Sequence, residues 1–202
     1  MKKNFDVIAF DLGNTLIRFD HAIAVKRLAG RFRIDSNKAY DLFFDSELTH
    51  EFEKGLISPA EFYVRAKAML NIEIEYRDFL LIWNEIFWED KDACSIVKKL
   101  KNRYRLFLLS NTNEMHFSYI EKRFDVIKVF DELILSYRVG SMKPDRKIYD
   151  HTIQKGGGDP ARILYIDDRE DLIGEAKKLG INTIRFEGAE KLRESLKHLN
   201  ID

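Results

Sequence analysis

Cysteine is scarce in this sequence, and long apolar runs and an excess of charge of one sign are missing. Cys94 is the single cysteine among 202 residues, which excludes an internal disulfide and favours a reducing, cytoplasmic location. No stretch approaches the roughly 18 apolar residues of a membrane span. Since 34 basic residues balance 34 acidic ones, no net field would draw the chain to nucleic acid or to an anionic membrane. We therefore expect a cytoplasmic protein that binds neither.

Short apolar runs that end abruptly in polar residues occur at four places along the chain. Each run is typical of a buried strand that leads into a loop. One Asp after a strand is usually a turn or a helix cap, but four such positions together indicate one site at the carboxyl edge of a parallel sheet. The runs span residues 5–10, 105–109, 132–135 and 163–166, and the polar residues beyond them are Asp11, then Ser110 with Asn111, then Lys143, then Asp167 with Asp168.

Helical periodicity is arranged differently in the two parts of the chain. From residue 92 onwards helix and strand patterns alternate, which predicts parallel βαβ units. From residue 19 to residue 90 the apolar residues recur at helical spacing only. We therefore predict an α/β protein with a Rossmann-like parallel sheet and helices on both faces, built from residues 1–18 and 91–202. Residues 19–90 are predicted to form an inserted all-α cap domain.

Two signals predict where helices of this insertion begin and end. Ser58, Pro59 and Glu61 form a helix start, with Ser as the cap, Pro at the first helical position and Glu shortly after it. A further helix is predicted to run from Phe79 through Phe87, on the spacing of its apolar residues. An all-helical insert placed directly after the first strand is typical of a lid over a site.

In their order along the chain, the four polar positions resemble the motifs of the haloacid dehalogenase superfamily, most of whose members are phosphatases with an aspartate nucleophile. Residues 10–16 (FDLGNTL) are similar to its first motif, residues 109–113 (LSNTN) to the second, residues 142–144 (MKP) to the third and residues 165–180 to the fourth. The helical insertion is similar to the lid of subfamily I, in the branch of the soluble epoxide hydrolase phosphatase domain and the sugar-1-phosphate phosphatases.

This resemblance implies a Mg²⁺-dependent phosphatase that acts on a small phosphorylated metabolite such as a sugar phosphate. Asp11 would be the nucleophile and would form an aspartyl-phosphate that water then hydrolyses. Mg²⁺ would be held by the carboxylates of Asp11 and Asp168 and by the backbone carbonyl of Gly13.

The same resemblance assigns the remaining polar positions to the phosphoryl group. Ser110, the backbone N–H of Asn111 and Lys143 would bind it, because a carboxylate can attack a phosphate dianion only where charge is neutralised. Lys143 would thus be a catalytic residue as well as a phosphate ligand. Asp167 would support Lys143 or Asp168.

Two positions depart from the family pattern. Gly13 stands where most phosphatases of the superfamily have a second Asp as general acid and base, a group typically worth about 10²–10⁴ in rate. Leu172 stands where the fourth motif usually has Asn or Asp, and Asp171 beside it is a candidate replacement.

The missing acid leads to two hypotheses. The substrate could have a leaving group that needs little protonation, as in a sugar 1-phosphate or in an acyl or aryl phosphate. Alternatively the lid could supply a proton donor, for which His50 and Glu53 in residues 49–55 are the candidates.

Two other functions remain open on these residues. A 2-haloacid dehalogenase would also use Asp11 as nucleophile without a second Asp, and would need a lid arginine, among which Arg27, Arg31 and Arg33 are available. The second carboxylate, Asp168, favours the phosphatase, since two carboxylates close together need a cation between them. A non-catalytic protein that binds a phosphorylated ligand or a protein partner is the other alternative, because Gly13 lacks the acid.

Overall fold

A five-stranded parallel sheet forms the centre of the molecule. The computed structural model describes residues 5–44 and 46–201, so residues 1–4 and 202 of the predicted core and residue 45 of the predicted cap lie outside the described residues. The sheet has the strand order β5–β4–β1–β6–β7. The strands of the described chain are β1 (Val7–Phe10), β2 (Ile17–Phe19), β3 (Phe87–Glu89), β4 (Arg105–Ser110), β5 (Glu132–Leu135), β6 (Ile163–Asp167) and β7 (Asn182–Arg185).

Strand β1 is the middle strand of this sheet. It is hydrogen-bonded in parallel to β4 on one side and to β6 on the other, with Phe10 opposite Leu108 and Ile166. All four of its residues are buried. A continuous apolar sequence is what a parallel strand covered on both faces requires.

Helices cover both faces of the sheet. Because side chains alternate along a strand, Ile8 and Phe10 pack with the helices of residues 91–100, 114–123 and 189–198, whereas Val7 and Ala9 pack with the helices of residues 146–156 and 170–178 on the other face. The predicted Rossmann-like fold is therefore confirmed. The helices are α1 (His21–Phe32), α2 (Ser36–Phe44), α3 (Glu47–Glu53), α4 (Pro59–Leu70), α5 (Tyr76–Asn84), α6 (Lys91–Leu100), α7 (Glu114–Arg123), α8 (Ser136–Val139), α9 (Arg146–Gly156), α10 (Glu170–Lys178) and α11 (Ala189–His198). Within residues 5–44 and 46–201, none of these helices has the length and apolar character needed to cross a membrane.

Helices α1 to α5 have a hydrophobic cluster of their own. It includes Leu28, Phe62 and Trp83, and also Met115 from α7, through which the helical insertion packs on the core. The start of α4 is formed as predicted: Ser58 Oγ accepts a hydrogen bond from a backbone N–H in the first turn, and a proline follows the cap. The division of the chain into a core and a cap at residues 18/19 and 90/91 stays a prediction.

The chain segments that enter and leave the insertion pair with each other. Strands β2 and β3 are antiparallel, with Phe19 opposite Phe87, and the two ring centroids lie 6.1 Å apart. Helix α5 ends at Asn84, so the predicted extension of this helix through Phe87 is wrong. The apolar spacing that favoured a helix also fits a short strand, and the cross-strand pairing with β2 decides between them.

Candidate active site

Three neighbouring strands of the sheet end at the same edge and carry polar side chains there. Asp11 follows β1, Ser110 ends β4 and Asp167 ends β6. Lys143 reaches this edge from the loop between α8 and α9. The structure thus brings together in space the polar residues that the sequence places far apart.

The Lys143 ammonium is the centre of the contacts at this edge. Its Nζ donates hydrogen bonds to Asp11 Oδ1 at 2.6 Å and to Asp167 Oδ2 at 2.8 Å. The Tyr165 hydroxyl at 2.9 Å and the Leu109 carbonyl at 3.1 Å also lie within hydrogen-bond distance of Nζ, so four acceptors surround its three N–H groups. Burial disfavours the charged ammonium, but the two carboxylates outweigh this effect and raise the pKa of Lys143. Lys143 is therefore a buried cation at neutral pH.

Asp11, Asp167 and Asp168 form a cluster in which one oxygen of each carboxylate lies within 4.8 Å of the others. Burial, opposed by Lys143 and assisted by the charge of Asp167, raises the pKa of Asp11 above its ordinary value. Burial and Asp167 also raise the pKa of Asp168. Three carboxylates against one ammonium leave an excess of negative charge, which a divalent cation would neutralise. Oxygen donors are the ligands that Mg²⁺ prefers, so this donor set fits the ion.

Asp167 differs from the other two carboxylates because both of its oxygens already have partners. Oδ2 accepts from Lys143 and from the Tyr165 hydroxyl, and Oδ1 accepts from the Arg169 backbone N–H at 2.8 Å. These contacts agree with the supporting role expected for Asp167. The ligand roles expected for Asp11 and Asp168 stay predictions.

Tyr165 is a polar group of the site that the sequence analysis did not identify. Its hydroxyl donates to Asp167 and accepts from Lys143. Burial and the charge of Asp167 raise the pKa of Tyr165 well above its ordinary value, so the hydroxyl keeps its proton. The sequence signal that could have identified Tyr165 was its position two residues before Asp167 on the same strand, since side chains two residues apart point to the same face of a sheet.

The Asn111 side chain holds the loop that carries Lys143. Its Oδ1 accepts from the Lys143 backbone N–H at 2.7 Å, and its Nδ2 donates to the Lys143 carbonyl at 2.8 Å. This bidentate contact was not expected, because the prediction for Asn111 concerned its backbone N–H. Ser110 is buried, and its hydroxyl donates to the Asn111 carbonyl at 3.3 Å.

A side chain at position 13, in the loop after β1, would require the ring of Phe19 to move. The Ile17 N–H donates to the Leu12 carbonyl, and the Asn14 N–H donates to the Ile17 carbonyl, both at 2.9 Å. A Cβ atom on Gly13 would lie 2.9 Å from Phe19 Cε1, closer than carbon atoms pack. The ring of Phe19 therefore stands where the family's second Asp would begin.

A pocket at this edge is lined by residues of both the core and the helical insertion. The core supplies Ser110 and Asn111, and the insertion supplies Glu53. His50 is exposed and is not among the lining residues, so the structure separates the two proton donors considered from the sequence. The lining residues are Leu12, Gly13, Ile17, Phe19, His21, Glu53, Phe87, Ser110, Asn111, Thr112, His116 and Ile120.

Burial shifts the pKa values of the titratable groups that line the pocket. It lowers the pKa of His21 to about 4 and that of His116 to about 3, so both imidazoles are neutral at pH 7. It raises the pKa of Glu53 to about 7. The pocket lining therefore contains two neutral imidazoles, of which His116 already contacts the Asn113 amide and the Trp83 carbonyl, and a carboxyl group that is partly protonated at neutral pH.

Asp171 lies apart from the carboxylate cluster. It is exposed, and its carboxylate pairs with Arg169 at 2.5 Å. Leu172 is buried, and its backbone carbonyl accepts from the Tyr149 hydroxyl at 3.0 Å. In the part of the chain that the structure describes, no contact supports Asp171 as the replacement for the acidic or amide residue of the fourth motif.

Comparison with known proteins agrees with this fold. Residues 5–180 match the family model of the haloacid dehalogenase-like hydrolases. The D-ribitol-5-phosphate phosphatase of Bacteroides thetaiotaomicron is 26% identical over 196 residues, which are 94% of this chain and 95% of the relative. A crystal structure of an HAD family enzyme from the same species, in complex with magnesium and inorganic phosphate, has a TM-score of 0.82 at 27% identity over 90% of this chain and 93% of that one. A HAD-like hydrolase structure from Porphyromonas gingivalis has a TM-score of 0.82 at 24% identity, over 98% and 99% of the two chains.

The chain therefore belongs to the haloacid dehalogenase-like hydrolase family, as its four motifs predicted. The prediction of a hydrolase related to phosphatases is confirmed with it. The prediction that Mg²⁺ is the cofactor is also confirmed, because a related structure holds the ion and this chain has a carboxylate cluster that could bind it.

Proposed function

We propose that the protein is a Mg²⁺-dependent phosphatase that hydrolyses a small phosphorylated metabolite through an aspartyl-phosphate on Asp11. The observation that carries this function is the 2.6 Å contact of Lys143 Nζ with Asp11 Oδ1 in a cluster of three carboxylates, two of them buried. A buried carboxylate can approach a phosphate dianion only where cations offset both charges, and this edge of the sheet combines a lysine with a potential metal site.

In the proposed reaction the Asp11 carboxylate attacks the phosphorus atom, and the bond from phosphorus to the leaving oxygen breaks. Water then attacks the phosphorus of the aspartyl-phosphate, which releases inorganic phosphate and restores the carboxylate. Lys143 fixes Asp11 and offsets negative charge around the phosphoryl group. The Ser110 hydroxyl and the Asn111 backbone N–H are proposed to bind phosphoryl oxygens.

The donor set for the metal consists of oxygen atoms. The Asp11 and Asp168 carboxylates are proposed as ligands together with the Gly13 carbonyl, which belongs to the loop directly after the nucleophile. When bound, Mg²⁺ supplies charge neutralisation at the phosphoryl oxygens. Asp167 is proposed as a support that keeps Lys143 in place.

A polyol or sugar phosphate is the substrate class that we propose. The relative from Bacteroides is a D-ribitol-5-phosphate phosphatase. The pocket beside the site has a neutral imidazole from His21 and a hydroxyl from Thr112, and among the residues that the structure describes its lining includes no lysine or arginine. Such a lining suits a leaving group with hydroxyls better than one with a second anionic group.

The dehalogenase alternative has less support from the contacts of the lid arginines. Arg27 pairs with Glu85 at 3.2 Å, and both side chains are exposed. Arg31 pairs with Asp78 at 2.6 Å, and Arg33 is exposed just beyond α1. A haloacid substrate needs a cation for its carboxylate or halide, and none of these arginines lines the pocket.

Phosphate release from a substrate panel tests this function. The panel contains D-ribitol 5-phosphate, a sugar 1-phosphate, a nucleotide and an aryl phosphate, each with Mg²⁺ and each with EDTA. We expect phosphate release that needs Mg²⁺ and disappears in Asp11→Asn. Halide release from a 2-haloacid in EDTA would instead identify a dehalogenase, and a lack of turnover with the whole panel would favour a non-catalytic protein.

A further inference from the structure

Glu53 brings a carboxyl group from the helical insertion to the pocket that Gly13, Ser110 and Asn111 line. It is the last residue of α3, a helix whose start is capped by Ser46 Oγ, which accepts from the Thr49 N–H at 3.0 Å. The carboxyl group is thus fixed to a capped helix rather than to a free loop. This group takes no part in the reaction as proposed so far.

The turn after Glu53 is seated directly on the core. Gly55 has a φ of +67°, and a Cβ atom there would lie 2.1 Å from the Tyr137 carbonyl oxygen. Only glycine permits so close an approach of the two backbones. Tyr137 belongs to α8, the helix that precedes the Lys143 loop. The contact therefore relates Glu53 to the same core segment that carries the site lysine.

The environment of Glu53 favours its protonated form. Across residues 5–44 and 46–201, no hydrogen bond or ion pair involves its carboxylate, and burial raises the pKa of Glu53 to about 7. The other titratable side chains that line the pocket, His21 and His116, are neutral and do not hold Glu53 in its charged form. A group that titrates near neutral pH is suited to both giving and taking a proton.

The loop after the nucleophile cannot perform this transfer. Gly13 has no side chain, and Phe19 occupies the space that a side chain at this position would enter. A phosphate ester of an alcohol needs a proton on its leaving oxygen, since an alkoxide is a poor leaving group. The pocket therefore lacks an acid on the side of the core and has one on the side of the insertion.

We propose that Glu53 is the general acid and base of the reaction, in place of the side chain that Gly13 lacks. When Asp11 attacks phosphorus, the bond from phosphorus to the leaving oxygen breaks and that oxygen takes the Glu53 proton, which yields the free alcohol. When water attacks the aspartyl-phosphate, it gives a proton to the Glu53 carboxylate, the bond from phosphorus to Asp11 breaks, and phosphate leaves. This inference rests on the proposed phosphatase function.

The test compares Glu53→Gln with wild type in the first turnover, on two substrates that differ in the leaving group. With D-ribitol 5-phosphate, we expect release of the alcohol to slow by about 10²–10⁴-fold, because the leaving oxygen lacks its proton. With 4-nitrophenyl phosphate, whose leaving oxygen is stable as an anion, the burst of nitrophenol should stay within a few-fold of wild type. The later turnovers should slow, because the attacking water has lost its base.

Glu47→Gln is the matched control, since Glu47 is an exposed residue of the same helix. Its rates with both substrates should equal those of wild type. If Glu53→Gln does not fold, Glu53→Ala is expected to show the same dependence on the leaving group.

Three results would overturn the inference: equal slowing of the first turnover with both substrates, a rise in KM at unchanged kcat, or no change at all. Failure of the proposed function looks different, because wild type would then release no phosphate from either substrate, or Asp11→Asn would release it as fast.

Discussion

Lys143 is buried with two carboxylates, and such an arrangement stabilises a protein only while the charges remain together. Taking an ammonium and a carboxylate out of water costs several kcal/mol per ion, and their attraction must offset this cost. Here Nζ is within 2.8 Å of both Asp11 and Asp167. Loss of the cation would leave both carboxylates buried without a charge partner.

Replacement of Lys143 by methionine should therefore affect both activity and stability. We expect kcat for phosphate release to fall by about 10²–10³-fold, as when one group that stabilises developing charge is removed. The free energy of unfolding should fall by about 3–5 kcal/mol. Urea unfolding and steady-state kinetics at saturating Mg²⁺ measure the two effects, with exposed Lys99→Met as control. Unchanged kcat in Lys143→Met would contradict the role given to this residue.

Glu53 should make stability depend on pH in a direction that its raised pKa determines. From the ordinary value of 4.5 up to about 7, the folded state binds more protons than the unfolded state, so the free energy of unfolding falls as pH rises. The difference in the free energy of unfolding between Glu53→Gln and wild type should thus grow in favour of Glu53→Gln by about 1–2 kcal/mol from pH 5 to pH 8, with allowance for partial exposure of the side chain.

Comparison of the two proteins at each pH isolates this effect. His21 and His116 have lowered pKa values, so their contribution to stability rises with pH, but it is present in both proteins and cancels in the difference. Chemical unfolding at several pH values measures the difference. If the difference in the free energy of unfolding between the two proteins stayed constant with pH, Glu53 would have an ordinary pKa.

Residue positions at strand ends were predictable, whereas their side-chain partners were not. Asp11 and Asp167 each follow or end a short apolar run, and a parallel sheet brings such ends to one edge. The Asn111 amide and the Tyr165 hydroxyl contact Lys143 through the packing of loops and strands. A sequence pattern carries no information on such contacts, because they depend on the relative placement of distant segments.

The turn after α3 is the element that brings the insertion into contact with the core. Gly55 lies in the left-handed region, and its missing Cβ permits the approach to the Tyr137 carbonyl oxygen. A side chain at position 55 would be disfavoured both by the positive φ angle and by its contact with the Tyr137 carbonyl oxygen. The geometry of Glu53 in the pocket depends on this contact.

Gly55→Ala should therefore lower activity as well as stability. We expect the free energy of unfolding to fall by about 1–3 kcal/mol, and kcat with D-ribitol 5-phosphate to fall by about tenfold or more, since small misplacements of a reacting group are costly. Gly157→Ala is the control, because Gly157 has a φ of +108° with nothing near its Cβ position. It should lose stability but keep kcat. Equal kcat values in the two variants would contradict this account of the turn.

Within the helical insertion, one helix start was predicted correctly and one short strand was not. The start of α4 at Ser58 carries a cap, a proline and an acidic residue, and these local signals determine the helix start. The segment around Phe87 has no such signal, and its strand forms only because β2 is available as a partner. Short apolar segments are ambiguous for this reason, since tertiary pairing rather than local preference selects their structure.

Over the whole molecule, the proposed chemistry is divided between two parts of the chain. The sheet edge supplies the carboxylates, the lysine and the predicted phosphate-binding residues, and hydrogen bonds within the core hold Lys143 there. The helical insertion supplies Glu53 and His21 to the pocket that adjoins this edge. The fold and the family follow from the order of motifs along the chain. The sequence offers both His50 and Glu53 as candidate proton donors, and the placement of the insertion on the core distinguishes between them.

Detection of the phosphoryl group on Asp11 tests the central claim most directly. The protein is mixed with D-ribitol 5-phosphate or an aryl phosphate and Mg²⁺, quenched with acid within the first turnover, and digested for mass spectrometry. We expect one phosphoryl group on the peptide that contains Asp11, and none in Asp11→Asn or in EDTA. Phosphate release without a phosphoryl group on Asp11, or with the group on another residue, would contradict the account.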